Sequence, residues 1–135
     1  RIVCVSDGVR RSLLDYARLD PERATVIHNP IVSPQIERMM AEPCADPWLG
    51  DPAAPLVLAV GRLTPAKDLP TLLRGFAALR RGRRARLLIL GDGEERPAIE
   101  ALARDLGLGD DVRLAGFVAN PYAWMARADL FVLSS

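Results

Sequence analysis

From residue 56 onward the chain alternates short apolar runs with stretches that are apolar at helical spacing, and few folds accept that pattern. The runs are Leu56–Val60, Arg86–Leu90, Val112–Ala115 and Leu130–Leu133. After the first run, Leu69, Leu72, Leu73 and Phe76 fall at i, i+3, i+4, i+7, which predicts an amphipathic helix over 69–80. Asp68 is its expected cap, and Pro70 is tolerated in its first turn. Ile99, Leu102, Ala103 and Leu106 repeat the stripe, and Pro121–Arg127 reads as a short helix. Continuously apolar strands are buried on both faces, as in parallel sheets. Strand–helix alternation with right-handed crossovers then predicts an α/β fold: a Rossmann-like parallel sheet with helices on both faces. Such sheets bind ligands beyond the carboxyl ends of their strands. Arg62, Gly91, Gly116 and Ser134 stand at those ends and are expected to share one rim.

The front of the chain is organised differently. Ile2–Val5 reads as a buried strand closed by Ser6-Asp7-Gly8, and either Ser6 or Asp7 can cap a helix with Val9, Leu13 and Ala17 on one face. Asp20-Pro21 stops that helix, and Ala24–His28 is a second strand closed by Asn29-Pro30. Prolines at 30, 34, 43, 47, 52 and 55 then break or bound the next stretch. It holds one short helix, capped by Ser33 with Pro34 at its first position and Ile36, Met39 and Met40 inward. The expected organisation is a piece over 1–32, an interdomain connection over 33–54, and a second domain over 55–135. The chain opens and closes in strand-like runs, which reads as a segment of a longer protein.

Composition narrows the function classes. Half the residues are hydrophobic and 26% are charged, a globular composition, and the net charge of +1 disfavours nucleic acid as a partner. No apolar run approaches the roughly 20 residues of a membrane span. The two cysteines, Cys4 and Cys44, have no neighbours at metal-ligand spacing and read as reduced thiols in a cytoplasmic protein.

Several motifs could carry chemistry. In Gly61-Arg62-Leu63-Thr64-Pro65-Ala66-Lys67-Asp68, Gly61 permits a sharp turn at a strand end. Arg62 offers a planar fork for phosphate oxygens and Lys67 a point charge, both beside a helix N-terminus. The pattern suits a diphosphate, and it equally suits two solvated loop cations. Gly91-Asp92-Gly93 follows a strand and allows close backbone approach to a ligand, but it is not the G-x-G-x-x-G fingerprint, which disfavours a nicotinamide-dependent dehydrogenase. Glu94 and Glu95 suit a helix N-terminus. Gly116-Phe117-Val118 could form an apolar floor for a base, or a surface loop with one buried aromatic. The basic run Arg80–Arg86 suggests an anionic surface. The stronger reading is cations complementing a helix C-terminus, with Gly82 as its C′ residue. His28, the one histidine, reads as packed or hydrogen-bonded rather than catalytic.

The order and spacing of these pieces resemble the group 1 (family 4) glycosyltransferases of the GT-B fold. The matching residues are Ser6–Val9, Val26–Pro30, Gly61-Arg62-Leu63 with Lys67-Asp68, Leu88–Arg96, Val112–Phe117 and Ala128–Ser135. Six pieces in order span nearly the whole chain. The resemblance implies two Rossmann-like domains with a cleft between them and transfer of a sugar from a nucleotide-sugar donor, such as a UDP- or GDP-sugar, with retention of configuration. It implies no metal or other cofactor. Arg62 and Lys67 would act in catalysis by holding the donor diphosphate and stabilising the leaving nucleotide. Gly61, Gly91, Gly93, Gly116, Phe117 and Val118 would complete donor binding. The acceptor would be a glycan or lipid-linked molecule of cell-envelope polysaccharide synthesis. That places the protein in the cytoplasm, in peripheral contact with the inner face of the membrane.

By the same likeness, residues 1–32 are the tail of an N-terminal acceptor domain and 55–135 the first half of a C-terminal donor domain. A glutamate pair would follow Ser135, and the 135 residues alone are expected to be inactive. Two other functions fit the pattern: a non-catalytic nucleotide-binding module, and a nucleotide-sugar epimerase of the same fold.

Overall fold

A computed structural model describes residues 1–135. The chain divides into two compact units, Arg1–Pro34 and Gln35–Ser135.

In the first unit, β1 (Ile2–Cys4) pairs in parallel with β2 (Ala24–Val26), and α1 (Asp7–Ala17) connects them. Ser6 caps α1, its hydroxyl oxygen accepting from the Val9 amide at 3.2 Å. The helix ends where Arg18 turns left-handed at φ 48°, ahead of Asp20-Pro21. Asp20 instead caps a tight turn, Pro21–Arg23, that leads into β2. Arg10 reaches across from α1 and donates to the carbonyls of Ala24 and Pro21, each at 2.8 Å. The expectation of a buried first strand is corrected. Within this unit only Cys4 and Ala24 are buried, while Ile2 and Val3 are exposed, because a two-stranded sheet covered by one helix shields little of either strand. His28 is exposed as well.

The second unit holds α2 (Pro34–Ala41) from Gln35 onward, then β3 (Leu56–Val60), α3 (Leu69–Arg80), β4 (Arg86–Leu90), α4 (Arg96–Asp105), β5 (Val112–Gly116), α5 (Tyr122–Met125) and β6 (Leu130–Phe131). Its four strands are parallel in the order β5-β4-β3-β6. The chain winds outward from β3 to β5 and then returns to the other side of β3. The strand order therefore reverses at β3. Leu56, Leu58, Leu87, Leu88, Ile89 and Leu90 are all buried to within 1%, as an apolar run in a two-faced sheet requires.

One face of this sheet packs on α3 and α4 through Leu69, Leu73, Phe76, Ile99 and Ala103. The other is covered by Trp48 and Leu49 and by Trp124, Met125 and Ala128 around α5. Trp48 lies between two guanidinium groups, 5.4 Å from Arg86 and 4.5 Å from Arg113. Asp51 pairs with Arg86 at 3.0 Å and Asp46 with Arg113. Much of the proline-rich stretch thus packs as part of the second unit. Both cysteines are free, and burial pushes the Cys44 thiol above its ordinary range, with Arg127 opposing and Asp46 reinforcing.

Three local expectations are refined. Asp68 is the cap residue of α3 as expected, but its carbonyl rather than its side chain makes the capping contact, accepting from the Thr71 amide at 3.1 Å. It sits left-handed at φ 44° and closes the tight turn Pro65–Lys67, its amide donating to the Pro65 carbonyl. Gly82 does not take the left-handed C′ role; Arg81 ends α3 in right-handed geometry. The basic run is only partly a free surface. Arg80 donates to Asp111 at 2.8 Å through Nε and to the Arg83 carbonyl, and Arg86 is held by Asp51 and Trp48.

Candidate functional site at the carboxyl edge of the sheet

The carboxyl end of β3 runs into Gly61-Arg62-Leu63, and this loop is locked onto the one that follows β4. The Gly61 amide donates to the Leu90 carbonyl, the Leu63 amide to the Asp92 carbonyl, and the Glu95 amide to the Leu63 carbonyl, each at 3.0 Å. The glycines make this approach possible. A Cβ on Gly91, at φ +130°, would lie 1.9 Å from the Gly61 carbonyl oxygen. One on Gly93 would lie 2.4 Å from that of Leu63. The close approach these residues permit is therefore between two loops of the protein itself. Gly116, at φ +79°, adds a third loop, its carbonyl accepting from the Gly91 amide at 2.7 Å. Arg96 holds the same region, donating to the Leu114 carbonyl and pairing with Glu100, each at 2.9 Å.

These loops border a cleft of about 460 Å³, lined by Val60, Gly61, Arg62, Leu90, Gly91, Asp92, Phe117, Val118 and Pro121. Five of the predicted site residues thus meet in one place. Gly93 and Gly116 do not line it; they pack and bond against the loops that do. Val118 is half-buried against the cluster of Leu56, Leu58, Leu88 and Leu90, whereas Phe117 is 83% exposed. Phe117 is a rim residue available to a ligand rather than a buried floor.

Lys67 occupies the adjoining corner with Arg62 and Ser134–Ser135, a small recess of about 10 Å³. Its stem lies over Gly61, where a Cβ would sit 3.5 Å from Lys67 Cε. The Ser134 hydroxyl donates to the Lys67 carbonyl at 2.6 Å, tying the chain after β6 to the Lys67 turn. Arg62 is exposed beside the cleft. Two cations therefore stand at the end of the strand where the sheet order reverses, the position at which open α/β sheets admit ligands. The sequence did not point to Pro121 as a cleft residue, nor to Asn120, whose side chain donates to the Met39 carbonyl and the Glu42 carboxylate. For Asn120 a signal existed, an Asn-Pro pair at a helix start.

Residues 54–135 match the family model described as glycosyl transferases group 1. The chain is 31% identical over 130 residues to a Campylobacter jejuni N-acetylgalactosaminyltransferase acting on N-acetylgalactosamine-N,N'-diacetylbacillosaminyl-diphospho-undecaprenol, covering 96% of this chain and 33% of that protein. It is 41% identical over 82 residues to the lipopolysaccharide core biosynthesis glycosyltransferase LpsE of Rhizobium meliloti, covering 61% of this chain and 23% of that one. The chain thus spans a third or less of the length of these curated relatives. Among solved structures, Anabaena HepE in complex with UDP and glucose superposes with a TM-score of 0.71 at 21% identity, over 98% of this chain and 37% of that one. Together with the α/β fold and the cation-flanked cleft, the family match over more than half its length shows that this chain belongs to the group 1 glycosyltransferases.

Proposed function

We propose that the chain carries the donor-binding cleft of a retaining glycosyltransferase, which moves a sugar from a UDP- or GDP-linked donor to a glycan or lipid-linked acceptor of the cell envelope. The observation that carries this reading is the pairing of Arg62 and Lys67 with an apolar-walled cleft at the end of β3. A nucleoside diphosphate has that division of character, with a planar base at one end and fixed negative charge at the other. UDP in the HepE complex and the diphospho-undecaprenol substrate named for the Campylobacter relative support the donor and acceptor classes.

In this reading the base lies against Phe117 and Val118 and the diphosphate reaches Arg62 and Lys67. As the bond from the anomeric carbon to the diphosphate oxygen breaks, negative charge grows on the leaving phosphate. Cations already in place stabilise that charge without reorganising. Arg62 can take two phosphate oxygens through its fork, while Lys67 acts as a point charge whose stem is fixed over Gly61. The two side chains supply the countercharge, so the reading calls for no metal. No helix is long and apolar enough to cross a membrane. The lipid-linked acceptor class is what extends the reading to contact with the cytoplasmic face of the membrane.

Titration calorimetry with UDP and GDP tests the site. Arg62→Ala and Lys67→Ala should each weaken binding about tenfold or more, the scale of a lost charge-assisted contact. Equal affinity for the wild type and both variants would remove the diphosphate from this corner.

A further inference from the structure

Asn120 makes four hydrogen bonds with one side chain. Its Nδ2 donates to the Met39 carbonyl at 2.8 Å and to the Glu42 carboxylate at 2.7 Å. Its Oδ1 accepts from the amides of Tyr122 at 3.2 Å and Ala123 at 3.4 Å. The reversed amide would set nitrogen against two N–H groups and oxygen against two oxygens, so the partners fix its orientation. On one side the residue caps α5; on the other it satisfies a carbonyl at the end of α2, where helices leave acceptors unpaired. Arg127 repeats the connection, donating to the Met40 carbonyl at 3.1 Å and the Ala123 carbonyl at 2.7 Å.

Between Gly116 and Asn120 runs the wall of the cleft. Phe117 and Val118 line it, with Pro121 directly after Asn120. The wall is anchored at its start by the Gly116 carbonyl on the Gly91 amide and at its far end by Asn120. We infer that Asn120 is a positioning residue: it fastens this wall to the end of α2 and so sets the width of the cleft on the side away from Arg62. Resting on the nucleoside-diphosphate reading above, this makes the residue a determinant of base binding rather than of phosphate binding. An amide is required, because the position must donate in one direction and accept in the other; a carboxylate only accepts.

That requirement supplies the test. Asn120→Asp keeps the acceptor for α5 but loses both donated bonds and faces the Glu42 carboxylate. In the double variant Asn120→Asp/Glu42→Gln, the introduced amide can donate to the introduced carboxylate and restore the connection to residue 42, while the Met39 carbonyl stays without its donor. By calorimetry, Asn120→Asp should weaken UDP binding about three- to tenfold, the scale of one or two hydrogen bonds. Binding of inorganic pyrophosphate, which has no base, should stay within about twofold, and the double variant should recover part of the lost UDP affinity. Unchanged UDP binding, equal losses for UDP and pyrophosphate, or no recovery in the double variant would each overturn the proposal.

A ligand-free measurement separates this from failure of the functional reading. The Val118 methyl resonances should shift or broaden in Asn120→Asp and return part-way in the double variant. If the wild type binds neither UDP nor GDP, the nucleotide reading falls. The Val118 spectra then decide the positioning role alone, and unchanged spectra in the single variant reject it.

Discussion

A Cβ at Gly91 would have to occupy space 1.9 Å from the Gly61 carbonyl oxygen, on a backbone at φ +130° that side-chain-bearing residues rarely adopt. Neither obstacle can be relieved by moving a flexible side chain. Gly91→Ala should therefore cost about 3 kcal/mol or more, among the larger effects of single substitutions. Gly75 in α3 meets nothing within 4 Å, and Gly75→Ala should stabilise by about 0.5–1 kcal/mol through helix propensity. Urea denaturation of the two variants checks both signs. The contrast shows what a sequence reveals about a glycine and what it hides. That Gly91 and Gly93 allow close approach is legible from their place after a strand; that the approaching group is the neighbouring loop depends on tertiary packing. Arg62 and Lys67 were legible because a strand, turn and helix bring them together within a few residues. The link from Asn120 to α2 was not, because Glu42 and Met39 lie 78 and 81 residues away.

The elements with strong local periodicity have the limits the sequence predicts. β3 at Leu56–Val60, α3 at Leu69–Arg80 and β4 at Arg86–Leu90 are each set by an uninterrupted apolar run or stripe. Where packing decides, the prediction drifts. β6 pairs only over Leu130–Phe131, and α5 shrinks to Tyr122–Met125. The stretch around Trp48 gave no periodic signal at all, since it is held by side chains on distant strands rather than by its own backbone pattern. Its anchor is the indole between Arg86 and Arg113, with Asp46 and Asp51 as counterions. Removing the ring by Trp48→Ala should cost about 3–5 kcal/mol, combining lost burial with a cavity. Limited proteolysis should then cut within residues 46–54 before the sheet unfolds.

The two compact units differ in how much they hide from water. The first buries Cys4 and Ala24, both small, and leaves Ile2, Val3, Val5 and Val9 exposed. The second contains a sheet with apolar packing on both faces. Small units that bury little apolar surface open at low free energy. Hydrogen exchange followed by mass spectrometry should show β1, α1 and β2 exchanging well before β3 and β4, and equal protection would mean the chain unfolds as one cooperative body. Fold class was legible at this scale because strand–helix alternation is written along the sequence, while the degree of burial depends on how many layers cover each strand. The interlocked loops at Gly61, Leu63 and Gly91 have a further consequence, which concerns entropy. Their backbone is ordered during folding, and the Lys67 stem is already seated over Gly61. At the corner shared with Lys67, the exposed Arg62 side chain is left to lose rotamer freedom when a ligand arrives, at about 0.5–1.5 kcal/mol for one such side chain. Most of the disorder this end of the cleft must give up has been surrendered before any ligand is met.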